Sequence, residues 1–516
     1  MVTRVLNSTS FSRRMAVTLI LLLALISAVS VLLLTRKSLK LPPGPAPVPV
    51  LGNLHQLGPL PHRTLRDLAR LHGPVMQLWL GKAPAVVLSS PEAAWEMLRV
   101  HDLDCCTRPV SPGPKRLTYD LKNVAFAPYG AYWREIRKLL VVELVSARRV
   151  KAVWCAREQQ VEKLISTLGC AGAKPVALDE HILSLSDGII GTVAFGNIYG
   201  SDKFTQNKNF QHALDEATDV LSGSSAEDFL PKAVGRFIDH ITGVVAQRER
   251  IFKHLDAFFD MVIEQHLDPN RAKSENSGDD LVDVLISHWK EHRGTLKFTR
   301  NHVKAIIFDT FIAGIDTSSI TIMWAMSELI RSPRVLNKVQ TEIRAVVDGK
   351  DRVRPEDMSK LKYLRMVVKE TLRLHPPAPL LVPRETMRHI QISGYDIPAK
   401  TRIYVNAWAI GRDQASWPEH PEEFNPERFE ENEIDFKGEH LQLLPFGTGR
   451  RICPGMSMGI ATVEFTLANM LCCFQWALPE GMVVEDVSME EEGKLNFHRK
   501  TPLVLVPIIL CKRRNH

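Results

Sequence analysis

The chain has 516 residues, 45% of them hydrophobic, which is enough for a large buried core without disulfide or metal staples. Lys and Arg number 65 against 58 Asp and Glu, a formal charge of +7, and no zinc-finger spacing or long basic run points to nucleic acid. The eight cysteines (Cys105, Cys106, Cys155, Cys170, Cys453, Cys472, Cys473, Cys511) are scattered or adjacent; they make no disulfide framework and fit a reducing compartment.

Met15 to Leu34 is a run of 20 uncharged residues, bounded by Arg13 and Arg14 before it and Arg36, Lys37 and Lys40 after it. As a helix it reaches about 30 Å, the depth of a bilayer's hydrocarbon core. Residues 15–34 therefore read as a transmembrane anchor, with 1–14 as its flank. A cleaved signal peptide would have a shorter apolar run, and a transit peptide would lack one. Basic residues balance across the run, so charge leaves its orientation open. Residues 35–50, with Pro42, Pro43, Pro45, Pro47 and Pro49, read as a basic, proline-rich hinge that stops the helix.

The remaining residues, 51–516, show no linker or repeat and read as one domain. Val75–Leu78 and Ala85–Leu88 around Gly81 predict a hairpin. From about 92 to 375 the apolar spacing is helical, for example over Gln159–Leu168, Ile251–His266 and Thr299–Ile330. Strands are expected at Ile390–Ile392, Arg402–Asn406 and Leu503–Ile509, and a last helix after Pro454. The fold class is mainly α with a smaller β portion.

Pro445-Phe446-Gly447-Thr448-Gly449-Arg450-Arg451-Ile452-Cys453-Pro454-Gly455 is the most informative segment. Most lone cysteines are buried packing residues. Here Pro454 reads as a first helical residue, which would set Cys453 at a helix N-terminus where N–H groups and the dipole favour a thiolate. Gly447 and Gly449 permit a tight loop, and Arg450 and Arg451 suit paired hydrogen bonds to a carboxylate.

The spacing Phe446, Gly449, Arg451, Cys453, Gly455 resembles the cysteine-ligand signature of the cytochrome P-450 superfamily. That resemblance implies the cytochrome P-450 fold behind a single N-terminal transmembrane helix. It implies haem b, with Cys453 as the iron's ligand, Phe446 shielding the sulfur and Arg451 on a propionate. Gly459 would let the following helix lie close under the haem. Trp133 and Arg137 in a Trp-x-x-x-Arg pattern, and Arg384, match further propionate contacts; taken alone, the first two are a basic helix face with one aromatic.

Ala313-Gly314-Ile315-Asp316-Thr317-Ser318 lies inside a predicted helix, where a glycine costs about 1 kcal/mol relative to alanine. Close helix packing is one reason for Gly314. The resemblance offers another, an oxygen-binding kink in which Ala313 and Gly314 leave room while Thr317 and Asp316 deliver protons. Glu370 and Arg373 stand at i,i+3, as in countless surface ion pairs. In the family they join Arg428 in a buried structural network.

The form of these motifs looks most like the microsomal plant enzymes of specialised metabolism, the clan numbered seventy-one. This implies a monooxygenase at the endoplasmic-reticulum membrane, its catalytic domain cytosolic. NADPH would serve it indirectly, through a flavoprotein reductase, and its partners would be O2, membrane lipid and a small lipophilic substrate. By position, Tyr119, Val124, Phe308, Ile312, Leu380, Leu381 and Leu495 are candidate pocket residues, each equally readable as core. Alternatives are a haem-thiolate isomerase or dehydratase acting without O2, and a haem sensor or carrier.

Overall fold

The computed structural model describes residues 39–144, 153–199, 208–223, 225–271, 279–291 and 297–510. The flank, the anchor and the first residues of the hinge lie outside the described residues. Helix α1 (Pro61–His72) starts on a proline, whose fixed φ suits a first turn. The predicted hairpin follows as β1 (Val75–Leu80) and β2 (Ala83–Leu88), antiparallel and turning at Gly81. A φ of 57° and the close approach of the Phe229 carbonyl both require glycine there.

Helices α2 (Ala131–Leu139) and α3 (Trp154–Cys170) come next, then the short β3 (Val176–Ala177). They are followed by α4 (Leu178–Phe195), α5 (Lys208–Leu221) and α6 (Val244–Leu267). The apolar stretch predicted as one helix is two, α7 (Arg300–Gly314) and α8 (Asp316–Arg331), broken at Ile315. Then come α9 (Pro333–Val347), α10 (Lys362–Leu374) and four strands: β4 (Arg384–Glu385), β5 (Ile390–Ile392), β6 (Tyr395–Ile397) and β7 (Arg402–Val405). The chain closes with α11 (Met456–Cys473), β8 (Phe474–Ala477), β9 (Glu491–Gly493), β10 (Phe497–Arg499) and β11 (Val504–Ile509).

Sheet order is β1-β2-β7-β4, with β7 parallel to β2; a second sheet runs β3-β11-β8. One core cluster joins α3, α4 and α8 to α11. Another joins α4 to α7 and contains Phe195, Phe258, Phe259 and Phe311, each at most 1% exposed. Burying each such ring contributes roughly 1.5–3 kcal/mol. α7, α8 and α11 are apolar because they lie inside these clusters. None of the described cysteines forms a disulfide.

Candidate active site

A cavity of about 350 Å³ lies between α7–α8 and the cysteine loop, and Cys453, Phe446, Gly447, Gly455 and Gly459 form its floor. The loop is tight for two local reasons. Gly447 and Gly449 take φ of 65° and 70°, and a Cβ on Gly449 would sit 2.6 Å from Asp102 Oδ1. Asp102 is itself a clasp: its Oδ2 accepts from the Arg450 amide at 3.1 Å and from Arg450 Nη1 at 2.8 Å. The Cys453 amide donates to the Phe446 carbonyl at 3.0 Å, closing the loop.

One expectation is corrected here. Pro454 and Gly455 form a turn, Gly455 is the cap and α11 begins at Met456, so Pro454 is not the first helical residue. The sulfur still meets the N–H groups of Gly455 and Met456. Burial pushes the thiol's pKa up, while those two amides and Arg137 pull it down. Cys453 is thus a half-buried residue whose sulfur is already surrounded by groups that favour its anion.

On the opposite side Ile315 (φ −79°, ψ −64°) separates α7 from α8. Thr317 Oγ1 donates to the Ala313 carbonyl at 2.6 Å and Ser319 Oγ to that of Ile315 at 2.9 Å, back-bonds of a kind that bend helices. Ala313, Gly314 and Thr317 line the cavity. Gly314 also packs closely: a Cβ there would meet Ile190 Cδ1 at 2.7 Å, so helix packing by itself asks for a glycine here. Asp316 is not on the cavity wall; its carboxylate turns towards Thr218 and Asn496.

Four guanidinium groups edge the cavity: Arg108, Arg137, Arg384 and Arg451. Arg451 donates to the carbonyls of Cys106 (2.7 Å), Val124 (3.1 Å) and Ala127 (2.6 Å). Arg137 donates to that of Ile452 at 2.5 Å. Arg108 donates to those of Ala125 (3.0 Å), Val382 (2.5 Å) and Pro383 (2.9 Å). Arg384 has a carboxylate partner, Asp102, at 2.6 Å, and reaches the Thr448 carbonyl at 2.7 Å. Burial pushes Arg451 down to about 9; burial, then repulsion from Arg451 and Arg384, pushes Arg108 well below the usual range. Trp133 enters differently from the expectation. Its one donor is committed to the Val124 carbonyl at 3.0 Å, and its ring faces the Arg451 guanidinium at 4.2 Å.

Of the candidate pocket residues, Val124, Ile312, Leu381 and Leu495 line the cavity. Three lie elsewhere. Tyr119 bonds Asp256 at 2.8 Å beside a separate surface pocket, Phe308 packs near Phe259 in the core, and Leu380 packs on the cluster under β1 and β2. Sequence reasoning missed Arg108, Asp102, Asn496 and Asp309. Asp309 lies on the wall and accepts from Asn123 Nδ2 (2.6 Å) and the amides of Val124 (2.7 Å) and Ala125 (3.1 Å). Burial nevertheless pushes it up to about 6.

The structure brings Glu370, Arg373 and Arg428 together. Arg373 grips Glu370 at 2.7 Å with both Nε and Nη2, and Arg428 Nε reaches it at 2.9 Å. The remaining donors of both arginines go to carbonyls, including those of Gly411 and Glu423.

The residues fit a flat, doubly carboxylated prosthetic group. Small residues line two opposing walls, a sulfur stands at one of them, and buried cations at the edge outnumber their carboxylate partners. A mainly helical domain with this site is a haem-thiolate protein. More particularly, the chain belongs to the cytochrome P-450 family, whose model matches residues 42–506. It is 63% identical over 478 residues to 4-hydroxyphenylacetaldehyde oxime monooxygenase of Sorghum bicolor, covering 92% of this chain and 90% of that one. It is 48% identical over 474 residues to 2-methylbutanal oxime monooxygenase of Manihot esculenta, 92% of each chain. A zebrafish cytochrome P-450 solved with abiraterone shares the fold, with a TM-score of 0.73 at 22% identity over 87% of this chain and 100% of that one. The protein is a haem b monooxygenase of plant specialised metabolism, using O2 and electrons from a reductase.

Proposed function

We propose that this monooxygenase oxidises an aldehyde oxime, preferably one with an aryl side chain. The observation that carries the reading is the 63% identity to an aryl aldoxime monooxygenase across 92% of this chain, supported by a second oxime enzyme at 48%. The cavity suits such a substrate. Val124, Ile312, Leu381 and Leu495 offer apolar surface for a side chain, and Thr310, Asn496 and Asp309 offer polar contacts for an N–OH group.

In this reading Cys453 would hold the haem iron as thiolate, and the iron's charge would offset the cost of deprotonating this sulfur. Arg108, Arg137, Arg384 and Arg451 hold the propionates, with Trp133 fixing the Arg451 plane. Phe446 and Gly455 shape the floor around the sulfur. Bound haem supplies O2 activation and oxygen insertion. Ala313 and Gly314 would keep the opposing wall low, Thr317 would present its hydroxyl at that wall, and Asp316 would hold a proton behind it. Glu370, Arg373 and Arg428 hold the fold and touch no substrate. Relatives of this plant group are typically membrane-bound. Here residues 15–34 anchor the chain in the endoplasmic reticulum by a single pass, 35–50 form the hinge and 51–516 the cytosolic catalytic domain, served by an NADPH-dependent flavoprotein.

Membranes containing the protein and a plant reductase, offered a panel of aryl and aliphatic aldoximes among other lipophilic metabolites, test this directly. Aldoximes should perturb the Soret spectrum and yield products only with NADPH and O2. Inert aldoximes beside a turned-over terpenoid would end the substrate reading. Turnover without O2 would favour the isomerase or dehydratase alternative.

A further inference from the structure

Asp309, on α7, ties the turn 123–126 to the cavity wall. Its Oδ2 accepts the amides of Val124 (2.7 Å) and Ala125 (3.1 Å), and its Oδ1 accepts Asn123 Nδ2 at 2.6 Å. Asn123 Oδ1 in turn accepts the Phe126 amide at 3.3 Å. The carbonyls of the same turn serve the arginine edge. That of Val124 accepts from Trp133 Nε1 (3.0 Å) and Arg451 Nη1 (3.1 Å), and that of Ala125 from Arg108 Nε (3.0 Å). Two hydrogen-bonded chains therefore run from one carboxylate to two guanidiniums. In the first, the peptide joining Val124 to Ala125 has its N–H on Asp309 and its oxygen on Arg451. In the second, the peptide joining Ala125 to Phe126 has its N–H on Asn123, itself bonded to Asp309, and its oxygen on Arg108.

We infer that Asp309 is a positioning residue for the propionate edge: acting through the turn 123–126, it is the remote counter-charge of Arg108 and Arg451 and fixes where their guanidiniums lie. This rests on reading the four arginines as the propionate cradle. Hydrogen bonds in a chain polarise one another, so a negative charge at the N–H end of a peptide makes its oxygen a stronger acceptor. Among the described residues neither guanidinium touches a carboxylate; both donate to carbonyls. Polarised carbonyls are thus what steadies these cations until an anionic group binds.

A carboxylate suits this place and an amide does not. Among the described residues Asp309 makes no ion pair, so no neighbouring cation neutralises it. Burial pushes it up to about 6 while Asn123 and the two amides pull it down, which leaves it ionised at neutral pH. Its three donors fill three of about four lone-pair positions, and the fourth stays open for the N–OH contact proposed above. An amide here would set its NH2 against that of Asn123. Turning Asn123 over only moves the conflict to the Phe126 amide.

The experiment uses full-length ferric holoenzyme in lipid discs, without substrate or reductase, and measures haem release to excess apomyoglobin. Asp309→Asn should speed release about tenfold while far-UV circular dichroism stays unchanged. Adding Asn123→Asp to Asp309→Asn puts the carboxylate at the other end of the same hydrogen bond and gives every donor of the turn an acceptor again. Release should then return to within about threefold of wild type. Arg108→Leu combined with Asp309→Asn should fall short of the product of the two single effects, because both act on one chain. No rescue by the exchange, or effects that simply multiply in that pair, would reduce Asp309 to a fold element and overturn the inference. If Arg108→Leu speeds release and Asp309→Asn does not, the cradle stands and this inference fails. If Arg108→Leu changes nothing, the cradle reading falls at that residue and the inference with it.

Discussion

Two groups of buried arginines in this molecule are built on opposite plans. Arg373 and Arg428 surround Glu370, each makes a direct ion pair with it, and the spare donors reach carbonyls. Arg108, Arg137 and Arg451 lie within one cavity edge and donate to carbonyls, with a carboxylate only beside Arg384. In the first group both guanidiniums contact the one carboxylate, so no cation lacks an ion pair although one positive charge is in excess. The second carries surplus positive charge at low dielectric, a cost that an anionic prosthetic group offsets. Guanidiniums with no carboxylate contact at all, more than burial or hydrogen-bond count, separate a cofactor cradle from a structural knot.

The comparison predicts opposite failures. Cys453→Ala, on the floor of the open site, should abolish the long-wavelength Soret band of the reduced CO complex while leaving far-UV circular dichroism intact. An unchanged band would assign the iron to another side chain. Glu370→Gln, in the closed group, should instead destabilise the whole domain by about 3–5 kcal/mol, because two guanidiniums lose their counter-charge. Denaturant midpoints of the purified protein measure this, and a shift under 1 kcal/mol would show the network to be dispensable.

Arg108→Leu sharpens the distinction further. It removes a cation disfavoured by burial and by its neighbours, so the fold should survive, while haem binding weakens about tenfold through one lost charge-assisted contact. Haem-to-protein ratios after dilution report it; full retention would remove Arg108 from the cradle.

The smallest effect belongs to another closed group, Glu491 with His62 and Arg63. Burial raises the Glu491 carboxyl, but His62 and Arg63 outweigh it and hold it at about 2, below the ordinary value of 4.5. A depressed carboxyl stabilises the fold above its unfolded pKa and loses that contribution as pH falls towards its folded one. The wild type should therefore lose stability from about pH 4.5 to about 2, and Glu491→Gln should flatten that limb. Parallel acid titrations of melting temperature compare the two.

What was legible in the sequence is what neighbours along the chain decide. Gly447, Gly449 and Cys453 encode a tight loop because φ and spacing are local. Ala313 and Gly314 share a helix face with Thr317 one turn on, as Glu370 does with Arg373, although the apolar spacing does not show the break at Ile315. The chain's apolar periodicity likewise established a helical domain with a few strands. Asp102, Arg108 and Asp309 carried no such mark. Asp102 clasps Arg450 from 348 positions away, and Asp309 meets Val124 across 185, contacts that exist only once distant segments pack. The same limit misled the wall: Phe308 and Ile312 lie one turn apart on α7, yet only packing decided that Phe308 turns to Phe259 and Ile312 to the cavity. Sequence determined which groups could bind an iron and move a proton. Tertiary structure decided which cations are paired and which are in surplus, because charge balance depends on distances that local order does not contain.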